Sequence, residues 1–183
     1  MPEGWTKNWT ADWRLSTFNG ALVASYFIPA WTIAAMKIWI SPVHGLYDRA
    51  NIAPGMFISD HLSFSVLQTV RFAWLLALGK VIVAAFFLVF LVLIVRESVR
   101  RKAGCDEALG FALLFGALIS MASLIAASQL GEFEALRLHA SETLVLIGAG
   151  ILLLIDMPQQ QASSSAAQAM HARHLGHHFS PNS

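Results

Sequence analysis

Apolar residues in this chain gather into four long runs separated by short polar intervals. The runs cover about 18–40, 72–95, 107–128 and 136–155, close to or above the roughly 20 residues a helix needs to cross a bilayer. A spanning segment must satisfy its own backbone hydrogen bonds, so all four read as helices. Pro29 removes one such bond from the first run and is expected to bend it. The pattern predicts an all-α integral membrane protein with four transmembrane helices in a bundle, preceded by an interfacial amphipathic helix. Three regions follow: a cytoplasmic arm (1–17), the transmembrane domain (18–156) with an outer loop (41–65), and a polar, disordered cytoplasmic tail (157–183).

Composition supports the pattern. The 183 residues are 56 % hydrophobic and 13 % charged, against about 25 % charged in soluble domains. Too few charges are present to coat a soluble fold of this size. The net charge of +1 gives no bulk attraction for nucleic acid. The one cysteine, Cys105, excludes an internal disulfide and a multi-cysteine metal site. The first seventeen residues lack the apolar core of a signal peptide, so the first run is expected to stay in the mature protein.

The second run contains Lys80, which opposes insertion by about 3 kcal/mol at a helix centre. Against it stand the Leu, Ile, Phe and Val residues between Phe72 and Val95, which together favour insertion by roughly 7 kcal/mol. The apolar contribution wins. Orientation follows from the basic residues. Lys7, Arg14, Arg96, Arg100, Arg101, Lys102 and Arg173 fall on one side. Arg49 and Arg137 fall on the other, with Lys37 and Arg71 at its helix ends. Both termini are therefore expected in the cytoplasm, and the protein in a cell inner (plasma) membrane.

Near the N-terminus, "GWTKNWTADW" repeats tryptophan at Trp5, Trp9 and Trp13. On a helix this spacing makes one narrow stripe. Tryptophan favours the headgroup level, so the stripe predicts an anchor at the membrane interface. Small residues at Ala112, Gly116, Ser120, Ser123 and Ala127 line one face of the third run, where another helix can approach closely.

Ionisable residues within apolar runs are the first candidates for function. Lys80 and Glu142 approach from the same side and are expected to form an intramembrane ion pair. A second candidate set, His44, His61, His139 and Glu142, falls on the outer side, with donors that suit haem or a divalent metal. His139 and Glu142 share a helical face at i, i+3. The histidine-rich tail, with His171, His174, His177 and His178, is another place for a divalent ion. The outer loop is long and apolar enough to form a short helix or a cap over the spans.

No phosphate loop, nucleophile elbow, His-Glu-x-x-His or paired catalytic cysteine occurs. The expected role is therefore non-enzymatic: an accessory, scaffold or assembly subunit, with the bilayer and a membrane-protein partner or a second copy as neighbours. Two alternatives stay open, a haem- or metal-binding redox subunit and an oligomeric transporter or channel.

Overall fold

The apolar runs set where the long helices form. A computed structural model describes residues 15–48, 51–96 and 105–178. Its elements are α1 (Leu15–Ile40), α2 (Pro42–Leu46), α3 (Ile52–His61), α4 (Val66–Val95), α5 (Asp106–Leu130) and α6 (Phe133–His178). The described residues are all-helical or in short connections. Among the described residues, four helices are long and apolar enough to cross a membrane: α1, α4, α5 and the Phe133–Asp156 part of α6. The tryptophan stripe at Trp5, Trp9 and Trp13 lies outside the described residues.

Two boundaries differ from the sequence reading. Helix α4 begins at Val66, ahead of the apolar run. Ser65 caps it: Gln68 N–H donates to Ser65 Oγ, and Ser65 N–H donates to Gln68 Oε1 at 2.9 Å. This reciprocal pair satisfies two orphan donors and carries the helix through the polar turn of Gln68, Thr69 and Arg71. Helix α6 does not stop near residue 155 but continues to His178, where the tail was expected without structure. The continuation is rich in Ala and Gln, with Pro158 near its start and no glycine before Gly176. Ala and Gln lose little freedom in a helix.

Helix α1 packs on α4 and α6, and α5 packs on the same two. Neighbours α1 and α6 run antiparallel, since Ser16 N–H donates to Asp156 Oδ2 at one end and Trp31 meets Glu142 further along. The shared core takes Phe27 and Trp31 from α1, Val83, Phe87 and Phe90 from α4, Leu109 and Leu113 from α5, and Leu146 and Leu153 from α6. Phe27 stacks on Phe87 with centroids 5.9 Å apart and meets Trp31 edge-on at 5.2 Å. Only 33 % of each apolar window is buried, so every long helix keeps most of its apolar surface outside the core.

The 42–61 segment is folded rather than draped. Leu46 of α2 packs with Ala35, Ile38, Ala73 and Ala77, and Ala53 of α3 packs with Ala127 and Ala135. Together α2 and α3 fill the space among the long helices at the end where α1 stops and α4 starts. Lys37 Nζ holds Asp48 Oδ2 at 2.6 Å across this connection.

Candidate functional site

Each long helix turns polar groups inward from its buried face. In α4, Ala73, Ala77, Lys80, Ala84 and Phe87 recur at threes and fours and are all buried, so they form one inward stripe. In α5 the stripe is Gly116, Ser120, Ser123 and Ala127. In α6, His139, Glu142, Leu146, Ala149 and Leu153 do the same. Helix α1 contributes Phe27 and Trp31.

These stripes bring Trp31, Lys80, Ser120, His139 and Glu142 into one buried cluster. The Glu142 carboxylate is its centre. Oε1 accepts from Trp31 Nε1–H at 3.3 Å. Oε2 accepts from Ser120 Oγ–H at 3.3 Å and lies 3.0 Å from His139 Nδ1. An ionised carboxylate only accepts, so the ring's hydrogen beside it belongs on Nδ1. Trp31 lies nine residues before the end of α1 (31 to 40) and Glu142 nine after the start of α6 (133 to 142). Both are therefore about 13 Å inside those helix ends at about 1.5 Å per residue.

The Lys80 ammonium is only 4 % exposed and donates to Asn51 Oδ1 at 2.6 Å. Asn51 is itself 1 % exposed and donates through Nδ2 to Gly45 O at 3.2 Å. The connection before α3 thus reaches down to the lysine. Lys80 and Glu142 share the buried cluster, with Asn51 as the hydrogen-bond partner of Lys80, and their opposite charges act on each other through space.

The four residues expected around a metal or haem do not converge. His139 and Glu142 meet. His44 is exposed on α2, with Nδ1 2.9 Å from Ser41 Oγ, and His61 is exposed on α3, stacked on Phe57. The reason is the packing of the short helices. Helix α2 turns Gly45 and Leu46 inward, and α3 turns Ala53 and Ile58 inward, which leaves both imidazoles outside. Among the described residues, no group of three or more His, Cys, Asp or Glu side chains is arranged to hold a metal ion.

Two of the clefts between the helices are largely apolar, and the first reaches the cluster at Glu142. One, of about 330 Å³, opens between α1 and α6 and is lined by Asn19, Leu22, Val23, Tyr26, Phe27, Ser141, Glu142 and Val145. The other, of about 350 Å³, lies between α3, α4 and α5 and is almost wholly apolar, with Ile58, Phe72, Leu118 and Ala122 in its walls.

Sequence reasoning missed Asn51, Trp31 and Ser120 as members of the cluster. Trp31 did leave a signal: it stands well inside an apolar run, away from the interface, where its N–H needs a partner. Compared with protein-family models, curated proteins and solved structures, the chain matches none.

Proposed function

We propose that this is a small multi-pass inner-membrane protein, with both termini cytoplasmic, that serves a larger membrane complex as an accessory, scaffold or assembly subunit. The observation that carries the reading is the outward apolar surface. Leu144 (72 % exposed), Leu154 (64 %) and Ile155 on α6 stand uncovered, as do Leu114, Leu118 and Ile125 on α5 and Val89 and Val92 on α4. Faces of this kind need hydrocarbon against them, from lipid or from a partner helix. Inside, the buried cluster ties α1, α4, α5, α6 and the 42–61 segment to one another. A rigid frame with apolar faces on several sides suits a part that others are built around.

Native electrophoresis of membranes solubilised in mild detergent tests the proposal. A band well above the mass of the 20.0 kDa chain, containing other membrane proteins in fixed ratio, is the expected result. Migration solely as an isolated monomer overturns it.

A further inference from the structure

We infer that the cleft between α1 and α6 is a binding site for an uncharged, hydroxyl-bearing lipophile, which donates its O–H to Glu142 and lays its hydrocarbon part along α1. Shape comes first. The volume of about 330 Å³ falls at the lower end of the roughly 300–1,000 Å³ of small-molecule sites. On the α1 side its lining runs from Asn19 to Phe27, about 12 Å along a helix. The cleft is thus elongated, with Glu142 toward one end, because Trp31 meets that carboxylate while Ser16 meets Asp156 far below. A molecule with one polar head and a chain fits this outline better than a compact polar solute.

The route in is apolar as well. Leu22 and Tyr26 are more than half exposed on the cleft's lip, so entry is from the hydrocarbon phase. A ligand arriving that way is lipid-soluble.

Chemistry at the end of the cleft then selects the head group. Glu142 is 8 % exposed, and its carboxylate has about four acceptor positions. Among the described residues, Ser120 and His139 occupy Oε2, whereas Oε1 receives only the long bond from Trp31. One acceptor position on Oε1 therefore stays open for a donor. Charge decides which donor. Lys80 already balances Glu142 within the cluster, so a cationic ligand brings an unbalanced charge into a low-dielectric interior, at a cost of several kcal/mol. An anion adds repulsion from the carboxylate. A neutral O–H leaves the balance untouched and forms a charge-assisted hydrogen bond, roughly twice as strong as a neutral one.

Equilibrium binding of radiolabelled 4-nonylphenol to the full chain in lipid nanodiscs, with empty nanodiscs subtracted, tests the inference. Nonylbenzene, which lacks the hydroxyl, and 4-nonylbenzylamine, which is cationic, compete as controls. The expected result is saturable binding of the phenol, with competition by nonylbenzene at least tenfold weaker. Val145→Phe fills the cleft without touching the hydrogen-bonded residues and is expected to lower phenol affinity tenfold or more. Leu22→Trp does the same from the opposite wall, should the first variant fail to fold. Equal competition by nonylbenzene, tighter binding of the amine, or full affinity in a folded cleft-filling variant overturns the inference. None of these measurements requires a partner protein, so the outcome is independent of the proposed accessory role.

Discussion

Lys80 illustrates how strongly a buried charge depends on a single neutral neighbour. Among the described residues its ammonium has one hydrogen-bond acceptor, Asn51 Oδ1 at 2.6 Å. Ordinary side-chain hydrogen bonds within membranes average about 0.6 kcal/mol, but stranding a buried charge costs about 3–5 kcal/mol. The two halves of this contact are therefore unequal. Asn51→Leu leaves an ammonium without an acceptor, whereas Lys80→Met leaves a neutral amide that still donates to Gly45 O and a Glu142 carboxylate that loses its counter-charge but keeps Trp31, Ser120 and His139 around it. Asn51→Leu is expected to lower the thermal midpoint in mild detergent more than Lys80→Met does. The double variant is expected to be more stable than Asn51→Leu alone. A double variant as unstable as the sum of the two singles counts against the contact. At this scale the sequence revealed Lys80, His139 and Glu142, because ionisable groups stand out in apolar runs. It concealed Asn51, whose partner is 29 residues away and whose position depends on how the preceding connection folds. It also made His44 and His61 look equivalent to His139, since residue type does not reveal which side of a short helix faces the core.

Two glycines separate steric from conformational control of the helices. Gly45 in α2 lies directly on α1: a Cβ there meets Ile38 Cα at 2.7 Å and Ile38 N at 2.8 Å, both backbone atoms. Gly131, between α5 and α6, has open space around it but a φ of 71°. Its N–H donates to Ser128 O and that of Glu132 to Ala127 O, the two bonds of a Schellman ending. Gly131→Ala therefore costs only the left-handed penalty, about 1–2 kcal/mol. Gly45→Ala forces α2 off α1 and loosens the Gly45 O to Asn51 to Lys80 chain. Hydrogen-exchange mass spectrometry distinguishes the two. Gly45→Ala is expected to abolish protection across 42–61, while Gly131→Ala lowers overall stability and leaves that segment protected. Retained protection in Gly45→Ala shows that α2 is not seated as described. The four long helices were legible in hydropathy because each is an uninterrupted apolar run. The short α2 and α3 were not resolved by it, since their few apolar residues serve contacts to helices distant in sequence. The start of α4 was legible in principle, because Ser65 and Gln68 have capping-box spacing, but the apolar run drew the boundary later.

For the molecule as a whole, the folding of the 42–61 segment into one end makes the two ends chemically different. One end is filled by α2 and α3, whereas α4 finishes and α5 starts at the other, with Arg100, Arg101 and Lys102 between them in sequence. In the proposed topology, four crossings put both termini on one side, and the excess of basic residues favours the cytoplasm for that side. Cys105 is the chain's one cysteine and is 1 % exposed, so single cysteines introduced elsewhere can be labelled over a low background. Asp60 is exposed on α3, and Ser163 follows the fourth apolar run. A membrane-impermeant maleimide added to intact cells is expected to label Asp60→Cys, whereas Ser163→Cys reacts only after the membrane is opened. Labelling of both from outside contradicts the three crossings proposed between them. The charge argument has its own test. Replacing Arg100, Arg101 and Lys102 together with Asn leaves Lys7, Arg14, Arg96 and Arg173 against Arg49 and Arg137, a far weaker bias. A mixed population, in which a fraction of Ser163→Cys becomes reactive from outside, is then expected. If orientation stays uniform, it is imposed by something other than these loops, and a partner that receives the chain during assembly becomes the leading explanation.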